Sequence, residues 1–189
     1  MLKRIVWVGL AALSLLATGC TTTGSTRSGS PDERRAALNS SVDAALANLR
    51  QQVNGAGQLI DSAKGVLVFP DVLEAGLVFG ASRGDGALRS RGKTISFHRT
   101  TSGSWGLQAG AQSTAVFVLF MTDASLQQFQ RSEGWSAGVD ATVTVVSVGA
   151  NAQITTDTAR QPVIGFVLSN RGLMGGVTMN GTRVTRIQL

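Results

Sequence analysis

The sequence predicts an α+β fold: an N-terminal amphipathic helix, then a curled, mostly antiparallel, glycine-rich β-sheet with one short inserted helix. Three observations carry this. Leu38, Val42, Ala45, Leu49, Val53, Ala56 and Ile60 recur at spacings of three and four, the stripe of a helix that packs by one face. After Lys64 the chain becomes a series of short runs rich in Val, Phe, Thr and Ile, divided by glycine-containing turns. Glycine is abundant, 23 residues, and much of it lies beside apolar residues inside those runs. Glycine weakens a strand unless the sheet bends or another backbone comes close, so its placement predicts a tightly coiled sheet.

The helix has a clear beginning. Ser30 suits an N-cap, Pro31 suits the first helical position, and Asp32 and Glu33 complement the positive helix end. Glu33 stands three residues after Ser30, as a capping box requires. The helix is expected from Pro31 to about Ile60, with "NGAG" at 54–57 able to kink or divide it. Its apolar stripe predicts packing on the sheet with a solvated outer face. In the strands that follow, "GASRGDGAL" reads as a hairpin whose turn is Gly-Asp-Gly. "AVFVLFM" is continuously apolar and predicts a central strand buried on both faces. Thr122 or Asp123 caps a short helix, "ASLQQFQRS", with Leu126 and Phe129 on its inner side. Val139, Ala141, Val143 and Val145 alternate with Asp140, Thr142 and Thr144, a strand whose phase blurs after Val145.

The residue inventory argues against an enzyme. His98 is the one histidine and is read as a surface or cross-strand residue rather than a base. A metal site needs several clustered His, Cys, Asp or Glu, and the spacing offers none, so neither metal nor cofactor is expected. "GASRGDGAL" has no phosphate-loop lysine and no helix after it. No pair of carboxylates stands out for acid–base work.

Charge placement is more informative. Arg83, Arg89, Arg91, Lys93 and Arg99 lie within 17 residues against Asp85 alone, and Arg171, Arg183 and Arg186 follow near the end with no acid between them. Arginine suits phosphate because its planar fork donates two hydrogen bonds at once. Such patches fit anionic headgroups, and they equally fit charged protection of sheet edges. Nucleic acid is not an expected partner, because no stacking aromatics interleave with the arginines.

The N-terminus has the order of a signal peptide. Lys3 and Arg4 precede Ile5–Ala17, an uncharged run of 13 residues. That is shorter than the about 20 residues a membrane-spanning helix needs. The run ends in "LLATGC", and Cys20 is the sole cysteine. "LLATGC" resembles the bacterial lipobox, which implies diacylglyceryl attachment to Cys20 and cleavage before it. Thr21 in place of Asp implies the outer membrane. Residues 1–19 are then a lipoprotein signal peptide, 20–30 a flexible tether of Thr, Ser and Gly, and 31–189 one domain. The mature chain carries 15 basic and 11 acidic residues, a net charge of +4.

One run is more specific. "AKGVLVFPDVLEAGLVFGASRGDGAL" resembles the SYLF domain, or Ysc84 family, and the likeness continues through "GSWGLQAGAQSTAVFVLFMTDASLQQF", "AGVDATVTV" and "SNRGLMGGVTMNGTRVTRI". The resemblance implies a lipid-binding module, non-enzymatic and held at the cell envelope, that reads anionic phospholipid or phosphoinositide headgroups. Carried over by position, it nominates the first helix, with Arg34, Arg35 and Arg50 as its cations, and Lys64 at the head of the run. Phe97, His98 and Trp105 stand where bacterial relatives usually carry tyrosines. Only a neutral spacer stands ahead of the helix, where a basic actin-binding extension would be, so actin is not an expected partner. The other reading is an envelope interaction protein, whose "AGLVFG" and "GLQAGAQ" edges contact another envelope protein and whose lipid affinity is incidental.

Overall fold

The computed structural model describes residues 29–76, 79–105, 110–146, 154, 156–169, 172–174 and 179–189. Its α+β architecture is the one expected. Helix α1, Pro31–Gln52, begins with a complete capping box: the Glu33 N–H donates to Ser30 Oγ at 3.3 Å, and the Ser30 N–H donates to Glu33 Oε2 at 2.8 Å. The helix divides at "NGAG", one of the two outcomes expected there. Val53 is extended and Gly55 takes a left-handed φ of 85°, a conformation glycine adopts without Cβ strain, before α2, Ala56–Ser62. Val42, Leu49, Val53 and Ala56 of the apolar stripe are buried, while beyond the break Leu59 is buried and Ile60 only partly so.

The strands are β1 Gly65–Gly76, β2 Phe79–Ser90, β3 Lys93–Trp105, β4 Gly110–Phe120, β5 Gly134–Ser136, β6 Thr144–Val145, β7 Val163–Ser169, β8 Gly172–Leu173 and β9 Arg183–Ile187. Helix α3, Asp123–Arg131, follows β4, and α4, Thr156–Ala159, precedes β7. They form one sheet in the order β5-β9-β3-β2-β1-β4-β7-β6, with β8 beside β7. Every pairing is antiparallel except β6 with β7.

Alternation along the strands feeds two apolar layers. Val66, Val68, Ala87, Phe117, Leu119, Ile164 and Phe166 face α1 and α2. Leu67, Phe69, Leu88, Val118, Phe120 and Val163 face the other way, toward Leu126 and Phe129 of α3 and Trp135 of β5. Thr122 is the cap of α3, with its Oγ1 accepting from the Ser125 N–H at 3.1 Å. Strand β4 is buried on both faces from Phe117 to Phe120, as its unbroken apolar run requires.

Four expectations need correction. Gly84-Asp85-Gly86 is no turn but the middle of β2; the hairpin turns at Arg91-Gly92. The glycines are there because β1 bulges opposite them. Its register shifts between Val68 and Asp71 against β2, around Pro70, which has no N–H for the ladder. A Cβ on Gly84 would lie 2.8 Å from the Asp71 carbonyl oxygen, and one on Gly86 would collide with that of Val68 and the Phe69 ring. Second, the strand expected from Val139 shrinks to Thr144–Val145. Gly138, at φ 86°, turns the chain and leaves Val139 83% exposed, while Ala141, Val143 and Val145 keep to the apolar layer. Third, of the two readings of His98 the cross-strand one holds and the surface one does not: it stands in register between Gly86 and Arg186 and is buried, 6% exposed, with its ring centroid 4.9 Å from that of Phe129. Fourth, Ala75 and Gly76 of "AGLVFG" are internal, paired to β2 on one side and β4 on the other.

Candidate functional site

Where α1, α2 and the β2–β3 turn meet, they enclose a cleft of about 270 Å³. Asp43, Leu46 and Arg50 come from α1, and Ile60, Asp61 and Ala63 from α2 and its end. Val66 opens β1 beneath them, and Arg89, Ser90, Arg91 and Gly92 close the other side. The break at Gly55 makes the site possible, because it folds Asp61 back within reach of Arg50. Arg50 grips that carboxylate with both terminal nitrogens, Nη2–Oδ1 at 2.6 Å and Nη1–Oδ2 at 3.3 Å. The hydrogen bond holds the Asp61 carboxyl below its usual range.

Arg89 ties the sheet to α1. Its Nη2 donates to Asp43 Oδ1 at 2.7 Å and to the Asn39 carbonyl at 3.2 Å, and only 15% of the side chain is exposed. Thr94 Oγ1 donates to Asn39 Oδ1 at 2.7 Å, a second tie to the same turn of the helix. The Nε of Arg89 is buried without a hydrogen-bond partner. An orphaned donor of this kind costs free energy until something accepts from it. Lys64 is drawn to the same corner, because its carbonyl accepts from Ser90 Oγ at 2.7 Å.

Arg91 occupies the first position of a two-residue hairpin turn at φ 50°, and Gly92 the second at φ 75°. Turns of this hand favour Asn or Gly at the first position, so arginine there is held at a cost to stability. Arg91→Asn is therefore expected to raise stability by roughly 0.5–1 kcal/mol in chemical denaturation, since Asn takes the left-handed region more readily. No gain would show that the turn relaxes around Arg91.

The structure divides the cations singled out by sequence. Arg50, Lys64, Arg89 and Arg91 gather at the cleft, with Lys93 just past the turn. Arg83 shares a cross-strand row with Thr101 and Arg183 farther along the sheet. Arg186 stands opposite His98. Arg34 and Arg35 lie at the start of α1, where Arg35 meets Asp32 at 3.1 Å and the Arg34 Nε is buried without a hydrogen-bond partner. Arg99 is claimed by Asp85, Nε–Oδ1 at 2.6 Å and Nη2–Oδ2 at 2.9 Å. Among the described residues, Arg35, Arg50, Arg89 and Arg99 are in ion pairs, and Lys64, Arg83, Arg91, Lys93, Arg183 and Arg186 are not. Cys20 and Arg171 lie outside the described residues, as do residues 106–109 of "GLQAGAQ".

Sequence reasoning missed the acids that partner the cleft. Asp43 and Asp61 sit 46 and 11 residues from their arginines, so no local pattern could pair them. It also missed two carboxylates brought face to face, Asp71 of β1 and Asp85 of β2. Like charges directly opposite destabilise a sheet; here Arg99 compensates Asp85, and Ser113 donates to Asp71. The apolar stripe of α1 is spent on the sheet, which leaves the cleft and its turn as the anion-favouring feature. Among the described residues no helix is long and apolar enough to cross a membrane.

Residues 101–188 match the family model Ysc84, described as Las17-binding protein actin regulator. The match begins within β3 and takes in every later element, α3 and α4 included, while α1, α2 and the "KGVLVFP" run precede it. No curated protein matches the chain.

Proposed function

We propose that the chain, whose residues 101–188 match the Ysc84 (SYLF) family model, is a non-enzymatic, membrane-anchored lipoprotein of the cell envelope whose domain binds anionic phospholipid headgroups. The observation that carries this is the gathering of Arg50, Arg89 and Arg91 in the lining of one cleft, with Lys64 and Lys93 next to it in the chain and Asp43 and Asp61 as the acids among the described lining residues. Among the described residues Lys64, Arg91 and Lys93 are in no ion pair, and their charge is free for an outside anion. The "LLATGC" run supports acylation of Cys20 and an outer-membrane address, with residues 20–30 as the tether. Tethering raises the local lipid concentration, so a weak headgroup site suffices. The actin link in the family's description is the less supported reading, because the spacer ahead of α1 carries little charge.

Co-sedimentation of residues 29–189 with vesicles of graded anionic content tests this. Binding is expected to rise with anionic lipid and to fall with salt. Arg91→Glu with Lys93→Glu should weaken it by at least about 25-fold, since each near-surface cation contributes about 1 kcal/mol. Both residues are exposed and outside ion pairs, so the fold is not at risk. Equal binding by this variant would sink the cleft as the site.

A second reading is an envelope interaction module. Gly110–Ser113 of β4 favours it, because the described pairing of β7 with β4 begins only at Thr114. A stoichiometric protein partner surviving high salt in a pull-down, with no vesicle binding, would put this reading first.

A further inference from the structure

The β2–β3 hairpin places an apolar side chain beside the free cations of the cleft. Between Leu88, which faces Ser96, and Arg89, which faces Thr94, the register slips by one, and Ile95 is the extra residue. Such a bulge leaves one residue outside the alternation that sends its neighbours inward. Thr94 bonds to α1 and Ser96 bonds to His98, but Ile95 stays 48% exposed. Among the described residues it is one of three large apolar side chains left in water, with Leu73 and Val139. Two exposed cations flank it at the hairpin end, Arg91, fixed by the left-handed turn, and Lys93, whereas Leu73 has one, Arg83, across the ladder.

Resting on the reading of the domain as a binder of anionic lipid, we propose that this hairpin end is the part that enters the bilayer: Ile95 passes below the headgroups while Arg91 and Lys93 hold phosphates around it. The charge pattern matches an anionic interface, an apolar centre inside a cationic rim, as interfacial elements show. The left-handed turn contributes by aim, because it places Arg91 at the end of the β2–β3 hairpin, just past the last residue of β2 that β1 pairs, Arg89. The cleft then opens at the level of the phosphates, where Arg89 and Arg50 line it. The Val139 turn, which follows β5 at the Arg183–Thr101 level of the sheet, faces away from the membrane.

The test uses the full chain reconstituted into vesicles containing brominated phosphatidylcholine, with or without phosphatidylglycerol. Tryptophan is placed at the hairpin, Ile95→Trp, or at the far turn, Val139→Trp, and bromine quenching is compared with the parent chain. The added fluorescence of Ile95→Trp is expected to be quenched about twofold or more in anionic vesicles, and that of Val139→Trp to be unchanged. Adding Arg91→Glu and Lys93→Glu should lower the ratio of docked to undocked Ile95→Trp by at least about 25-fold, at about fivefold per near-surface cation. Hydrogen exchange on the same samples separates two failures. Anion-dependent protection elsewhere in the domain with Ile95→Trp still in water overturns the hairpin and leaves the lipid reading standing. Identical exchange in anionic and neutral vesicles, with no quenching, overturns both.

Discussion

Gly86→Ala is expected to destabilise the domain by roughly 3 kcal/mol, the upper end of what overpacking costs. The added Cβ would run into the Val68 carbonyl oxygen, with the Phe69 ring beside it, and a backbone atom cannot swing aside as a side-chain end can. Both obstacles are set by the bulge at Pro70, so relief would require re-registering β1 against β2 and β4 together. Gly103→Ala is the matched control, because its Cβ would meet nothing within 4 Å on the same hairpin. That change should fall within about 1 kcal/mol of zero, in either direction, the scale of the backbone effect alone. Denaturant midpoints of the two variants give the comparison directly. Equal values would mean that β1 does not bulge against Gly86 as described.

Acidification supplies the second large effect. Burial first, and then the charge of Arg186 in register across β3 and β9, push the His98 imidazole down from 6.5 to about 4. Above pH 6.5 the ring is neutral in both the folded and unfolded chain and does not tilt the balance. Between pH 6.5 and 4 the unfolded chain takes a proton that the folded one refuses, so stability falls as pH falls. Below about 4 the folded protein takes it too, and the decline from this group stops. The integrated loss is about 3 kcal/mol, from a depression of that size at about 1.4 kcal/mol per pH unit. His98→Gln keeps a polar partner for Ser96, now 2.8 Å from the imidazole Nε2, and removes the titration. Its melting temperature should decline more gently than the parent's from pH 6.5 to 4. Parallel curves would show that His98 reaches solvent.

Local features were legible in the sequence to the extent that local forces decide them. The capping box at Ser30 and Glu33, the stripe on α1, the cap at Thr122 and the two-faced burial of β4 all depend on a few neighbouring residues, and each is present. The misreadings have one cause in common. Gly-Asp-Gly has the composition of a turn, and only the bulge in a partner strand explains why glycine is needed at mid-strand. Val139 continues an alternation that Gly138 interrupts by turning the backbone. His98 looked superficial because a lone polar residue carries no sign of the Phe129 ring that covers it. The cleft followed the same rule. Its basic residues were visible as a run, but which of them are neutralised depends on Asp43 and Asp61 arriving from other elements.

Strand β9 is placed between two strands that do not otherwise touch: β3 on one side, through Phe97–Thr101, and β5 on the other, through Gly134–Ser136. Its five residues come after every other described element in the chain. During synthesis, therefore, a margin of β3 stays open until every other described element has left the ribosome. Until then the nascent domain presents an edge on which a foreign strand could pair. A fold built this way leans on whatever shields that edge, and deleting Arg183–Ile187 should harm its yield more than five residues suggest.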